Sequence, residues 1–150
     1  MSHAFTHCTI HCIWATKFRQ PWLDPILQAR LWPYLGGIAR KSNVSALAVG
    51  GAEDHVHVLA RIPPALPVSR LVMEFKGLSS KWIHDYFPRL RDFAWQQGYG
   101  AFSVSRSQEE RIIAYIQGQK EHHQKKSLEK EMGAFLERHG IPFDPKKLWE

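Results

Sequence analysis

Residues 53–59 read Glu-Asp-His-Val-His-Val-Leu. In an extended strand, residues two apart share a face, so His55 and His57 project side by side while Val56 and Val58 point into a core. Two imidazoles placed this way can hold one ion between them, or they can be a polar face turned to water. Asp54 is either a carboxylate behind such a site or simply the polar residue that opens the strand. A second group comes later in the chain. Tyr115, Gln119 and His122 recur at steps of four and three, which on a continuous helix places them within an arc of about 60°. Ile112, Ile113 and Ile116 form the adjoining apolar stripe. A phenol, an amide and an imidazole along one edge of an anchored helix can line a site, or they can be the polar margin of an amphipathic helix. Gly118 within this pattern costs about 1 kcal/mol relative to alanine and points to close approach by another element.

These side chains need elements to hold them. Residues 6–16 alternate in period two, with Cys8, Ile10, Cys12 and Trp14 on one face and His7, Thr9 and His11 on the other, the pattern of a half-buried strand. Asp24 offers an N-cap with Pro25 at the first helical position. Leu27, Leu31, Leu35 and Ile38 then carry an apolar stripe to Lys41, with a kink expected at Pro33 and an end at Asn43. Residues 44–51 read as a second strand, Gly50-Gly51 as the turn, and 55–62 as a third strand paired with the second. Leu71, Val72, Phe75, Leu78, Trp82 and Ile83 recur at helical spacing over 68–87. The aromatic stretch 93–105, broken by Gly98 and Gly100, reads as a fourth strand. Ser105 or Ser107 can cap a third helix over 108–126, and a short helix is expected around 133–138 in a C-terminal extension starting near 127.

The order strand, helix, strand, strand, helix, strand is the split βαβ arrangement of the ferredoxin-like α+β fold. It predicts an antiparallel sheet with two helices on one face, an added C-terminal helix bearing Tyr115, and a second face free to hold a site. A chain of 150 residues, 44% hydrophobic and 23% charged, has enough apolar material for one globular domain, expected over 1–150. Lys and Arg outnumber Asp and Glu by 20 to 14, for a formal charge of +6, which favours a polyanionic partner and nucleic acid first. Cys8 and Cys12 on one strand stand about 13 Å apart, too far for a disulfide. There is no signal-peptide pattern and no apolar run long enough to span a bilayer, so no membrane partner and a cytoplasmic location are expected.

The stretch DHVHVL, followed at 115–123 by YIQGQKEHH, resembles the single-tyrosine transposases of the HUH superfamily, the insertion-sequence-200-like group, in which a hydrophobic residue separates two metal-binding histidines. The likeness extends to IHCIWATKFRQPWL, FKGLSSKWI, WQQGYGAFSVS and the closing FLERHGIPFDPKKLWE, and so covers nearly the whole chain. It is greatest to the repeat-associated branch of the group. The resemblance implies that His55 and His57 bind a divalent cation, that Gln119 is the third ligand, and that Tyr115 attacks a phosphodiester of single-stranded DNA. The product would be a 5′-phosphotyrosine and a free 3′-hydroxyl. It also implies Mg²⁺ or Mn²⁺, whereas imidazole ligands alone lean towards Zn²⁺ or Mn²⁺; an amide oxygen, phosphate oxygens and water shift the preference to the harder ion. His122 and His123 are further candidates for a ligand or a DNA contact.

Single-stranded or hairpin DNA is the expected partner, and a homodimer the expected assembly. Lys76, Lys81, Arg70, Lys17 and Arg19 are candidates for phosphate contacts, and Trp95 and Tyr99 for stacking on unpaired bases. Two other readings stand beside strand transfer. One is a non-catalytic nucleic-acid-binding module on the same sheet, and the other a domesticated enzyme that processes palindromic repeats.

Overall fold

The computed structural model describes residues 3–119 and 127–150. Its elements are β1 (Cys8–Ala15), α1 (Pro25–Lys41), β2 (Ser45–Ala52), β3 (His55–Ile62), α2 (Val68–Tyr86), β4 (Gly100–Ser103), α3 (Glu109–Gln117) and α4 (Leu128–Arg138). The four strands form one antiparallel sheet in the order β2-β3-β1-β4. This is the expected ferredoxin-like α+β fold.

The first core lies between the sheet and α1 and α2. Asp24 caps α1 by accepting a 2.8 Å hydrogen bond from the Leu27 amide, and the helix runs without interruption through Pro33. Asn43 ends it in the left-handed region, at φ 58°. Leu27, Leu31 and Leu35 from α1 meet Leu71, Phe75 and Ile83 from α2 over Cys12, Trp14, Val56 and Val58. The alternation read from β1 and β3 therefore assigns these faces correctly. Both cysteines are free thiols, and burial pushes the Cys12 thiol up to about 12. Among the described residues no helix is long and apolar enough to cross a membrane.

The opposite face of the sheet differs from expectation. It is not open: α3 packs on β2 and β3, with Ile116 against Ala48 and Leu59, while α4 sets Met132 and Phe135 against Ile13 and Phe102. Hence β1 is buried on both faces, and Thr9 and His11 are as inaccessible as Cys12 and Trp14. The Gly50-Gly51 pair does not make the hairpin turn, which falls at Glu53-Asp54. Both glycines lie inside β2, where an added Cβ on Gly50 would stand 2.6 Å from the Ile116 carbonyl oxygen of α3. Close approach of the tyrosine helix is thus permitted at Gly50. Gly118, which the sequence reading gave that role, instead ends α3, its amide donating to the Ala114 carbonyl at 3.0 Å. Neither Ser105 nor Ser107 caps α3: a short 3-10 turn over Arg106–Gln108 leads into it, without a side-chain cap. The expected continuation of this helix to 126 lies outside the described residues beyond Gln119, as do His122 and His123.

Gly50 and Gly77 make a controlled comparison, because a Cβ at Gly77 in α2 would meet nothing within 4 Å. Gly50→Ala should destabilise the protein by about 1–3 kcal/mol through overpacking. Gly77→Ala should stabilise it by about 1 kcal/mol through helix propensity. Urea denaturation of the two variants measures both, and shifts of the same sign would contradict this account of Gly50.

Candidate active site

The site begins with the register of β3. His55 and His57 lie on the face covered by α3 and α4, and both are fully buried, at 0% exposure. Their rings meet edge to face with centroids 5.0 Å apart. Each has its Nδ1 atom engaged. His55 Nδ1 is 2.8 Å from Asp54 Oδ1, and Arg19 donates in turn to the other Asp54 oxygen at 3.3 Å. His57 Nδ1 is 2.8 Å from His11 Nε2 on the neighbouring strand. Burial holds the His11 imidazole down to about 3, so it stays neutral near pH 7 and can accept a proton from His57 Nδ1. Asp54 and His11 thus engage the Nδ1 side of the two rings, which leaves each Nε2 atom as the nitrogen turned away from these partners.

Gln119 completes this set, since its Oε1 atom lies 3.0 Å from His55 Nε2. Two imidazole nitrogens and an amide oxygen form a donor set suited to a divalent ion such as Mn²⁺ or Mg²⁺, provided water or phosphate oxygens fill the remaining positions. Among the described residues, no group of three or more His, Cys, Asp or Glu side chains could hold a metal ion.

Tyr115 reaches the same place from α3. Its ring lies edge-on to His57, with centroids 5.6 Å apart, and its hydroxyl donates a 2.6 Å hydrogen bond to Glu131 Oε1 of α4. Burial, then the Glu131 hydrogen bond and charge, push the phenol well above its ordinary range; Gln119 and the Arg138 guanidinium act in the opposite direction.

A buried carboxylate holds the start of this helix. Glu109, in the first turn of α3, accepts from the Thr9 hydroxyl at 2.6 Å and from Arg61 at 2.8 Å, and lies 2.7 Å from His7 Nε2. The Thr9 hydrogen bond, with Arg61 and His7, holds this carboxyl at about 2 against the effect of burial.

The structure thus brings His55, His57, Tyr115 and Gln119 together. None of the seven candidate DNA contacts belongs to that set, although Arg19 adjoins it through Asp54. Lys76 is half buried, donating to the carbonyls of Gln96 at 2.7 Å and Gly98 at 2.6 Å, and desolvation brings its ammonium down to about 8. Trp95 is 8% exposed and donates to Ser79, so it packs in the core and offers no face to a base. Lys81 pairs with Asp85, Arg70 with Glu74, and Arg19 with Asp54 and Glu129. Lys17 lies over the Phe18 ring, and Tyr99 is 42% exposed. The sequence reading missed His11, Glu109 and Glu131. Alternation had placed His11 on the histidine face of β1, but nothing in the sequence marked that face as covered.

Residues 4–119 match the protein family described as "Transposase IS200 like". The chain belongs to this family. It is 28% identical over 127 residues to the transposase of insertion sequence IS200 from Salmonella typhimurium, covering 81% of this chain and 82% of that protein. It is 26% identical over 114 residues to the ISDra2 transposase TnpA of Deinococcus radiodurans, covering 73% and 81%. A crystal structure of a candidate transposase from D. radiodurans R1 superposes with a TM-score of 0.67 at 27% identity, over 79% of this chain and 95% of the other. The fold is also shared, with a TM-score of 0.58 at 16% identity over 82% and 74%, by a REP-associated tyrosine transposase solved with a REP hairpin. These transposase relatives match the resemblance carried by the HUH and tyrosine segments.

Glu109 gives the site a pH dependence. A carboxyl depressed from 4.5 to about 2 contributes stability that is present above 4.5 and is lost as pH falls through the folded value. Urea midpoints should therefore fall for the wild type across that interval, and Glu109→Gln should remove part of the slope while lowering stability at neutral pH. Parallel profiles would show that the carboxylate does not hold α3.

Proposed function

We propose that this chain is a metal-dependent single-stranded DNA endonuclease and strand transferase that acts through a 5′-phosphotyrosine on Tyr115, as in DNA transposition. The observation that carries this reading is the convergence of His55, His57, Gln119 and Tyr115 within a chain of the IS200-like transposase family. A non-catalytic nucleic-acid-binding module would have no need of that convergence.

His55 and His57, through Nε2, and Gln119, through Oε1, are the residues that would hold the cation. A divalent ion bound there, Mg²⁺ or Mn²⁺, supplies neutralisation of charge on a phosphate oxygen and orients it for in-line attack. The chain's own groups do the rest. An unperturbed tyrosine, with a pKa of about 10, is almost wholly protonated at neutral pH, and burial beside Glu131 raises that value further. The proton must therefore leave as the oxygen attacks, and Glu131 Oε1 at 2.6 Å is within reach to receive it. The phenolic oxygen bonds to phosphorus, the P–O3′ bond breaks, and the departing oxygen takes a proton from water to give a 3′-hydroxyl. Because the phosphotyrosine ester retains the energy of the broken bond, a second strand's 3′-hydroxyl can reverse the step without ATP.

Hairpin DNA with a single-stranded flank is the proposed substrate, in keeping with the hairpin bound to the structural relative. A homodimer, as the family resemblance implies, is the proposed assembly. Whether the enzyme moves an element or processes scattered palindromes depends on the DNA it meets, and both use the same step.

Labelled stem-loop DNA incubated with the protein and Mn²⁺ or Mg²⁺ should yield a denaturant-stable adduct whose phosphopeptide maps to Tyr115. Tyr115→Phe should retain DNA binding and form no adduct, whereas Tyr99→Phe should still form it. An adduct on Tyr115→Phe would sink the assignment.

His55→Ala with His57→Ala should abolish Mn²⁺ binding by calorimetry together with metal-stimulated cleavage. Because both rings are buried, it should also lower the melting temperature. Gln119→Ala should raise the Mn²⁺ concentration needed without abolishing cleavage. Unchanged Mn²⁺ affinity in the double variant would exclude the histidine pair as ligands.

A further inference from the structure

Two clefts on the α3–α4 side of the molecule run together. The inner, of about 230 Å³, reaches Tyr115 and Glu131. The outer, of about 650 Å³, opens along Ser103, Val104 and Ser105 just past the β4 edge strand, with His11 also among its lining residues. Arg111, Ile112, Phe135 and Arg138 line both, so they form the passage between them. Its apolar wall is a ladder of rings: Phe102 stacks on Phe135 at 5.4 Å and on His139 at 5.0 Å.

The charges in the passage are arranged unequally. Arg111 and Arg138 are exposed, one on α3 and one on α4, and among the described residues neither forms an ion pair. Arg138 lies over the Phe135 ring, its guanidinium 5.7 Å from the centroid. The carboxylate in the lining is Glu131, held at the inner end by Tyr115. An incoming anion therefore passes two guanidinium groups before it meets a negative charge. Guanidinium groups bind phosphate by paired hydrogen bonds and are weakly hydrated, which suits them to this place. A double helix is about 20 Å across and does not fit a passage of this volume, whereas a single strand, whose phosphates are separated by roughly 6–7 Å, does.

We propose that this cleft is the binding channel for the single-stranded segment that carries the scissile phosphate, with Arg111 and Arg138 gripping its backbone on either side of Tyr115. The proposal rests on Tyr115 being the nucleophile. It places the reacting strand on the α3–α4 face, across the sheet from the lysines and arginine of α2.

Binding can be measured apart from cleavage by working in the Tyr115→Phe background. The probe is a fluorescein-labelled 15-nucleotide oligothymidylate, read by anisotropy between about 50 and 200 mM salt, where counterion release makes affinity steeply salt-dependent. Arg111→Gln with Arg138→Gln should weaken binding at low salt and reduce the slope of log K against log salt by about 1.4, at about 0.7 per single-strand phosphate contact. Arg40→Ala with Lys41→Ala removes the same charge at the far end of α1 and should leave the slope unchanged. Both arginines are exposed, so circular dichroism should report an intact fold. An unchanged slope in the arginine pair, or an equal loss in the Arg40 and Lys41 control, would overturn the channel. In otherwise wild-type protein, no adduct at Tyr115 would overturn the nuclease reading, while the anisotropy measurement would still decide where the strand binds.

Discussion

A carboxylate buried at the first turn of a helix has to be neutralised where it lies, and in this protein that requirement ties α3, the helix of Tyr115, to the sheet. Glu109 is met by Thr9 and His7 from the β1 side and by Arg61 from β3. The helix N-terminus adds its own partial positive charge. This fixes one end of α3, and Gly50 fixes the depth to which the helix sinks, because only a residue without Cβ lets β2 come so near the Ile116 carbonyl. Two turns further on, Tyr115 and Gln119 have little freedom left. The position of the phenol beside His57 is therefore a consequence of contacts on the far side of the same helix.

The covered face of the sheet has a second consequence. Polar groups buried there need partners, and the partners they find also set their chemistry. Asp54 and His11 each engage the Nδ1 atom of one histidine of the pair. Water would have met both nitrogens of a solvated pair, whereas in the buried pair these partners, with Gln119 beside His55, decide how each ring is oriented. The same burial acts against Tyr115, whose hydroxyl sits on Glu131 in an environment that disfavours the phenolate. The ordered histidine pair and the restrained phenol arise from one cause, the packing of α3 and α4 over the strands.

The sequence made legible whatever depended on local periodicity. The β3 bounds, the α1 cap at Asp24, the left-handed Asn43 and the faces of the first core all follow from residues within a few positions of one another. The family was readable because its segments form ordered motifs, and the four candidate site residues came with those motifs. What could not be read was long-range. Nothing near Glu131 announces that it will meet Tyr115, and His11 looks like an exposed strand residue until α4 is placed over it. Two glycines were misassigned for the same reason. Gly50-Gly51 has the composition of a turn, and only the arrival of α3 shows that its small size is needed within the strand.

Charge is where the contrast between total and location is sharpest. A net +6 points to a polyanion and says nothing about the face it binds. Several of the cations with the strongest sequence context are engaged within the fold: Lys76 holds the loop at 96–98, Arg61 answers Glu109, and Arg19 steadies Asp54 behind His55. A cation so placed contributes to the long-range field but cannot release a counterion to a phosphate without breaking a structural contact. Arg111 and Arg138 differ in that each leaves its guanidinium exposed in the cleft that reaches Tyr115, and neither had been singled out as a DNA contact, although Arg138 lies in the closing motif segment. A basic residue's standing in the sequence therefore predicts its use in DNA binding only after the carboxylates and carbonyls competing for it have been located in three dimensions.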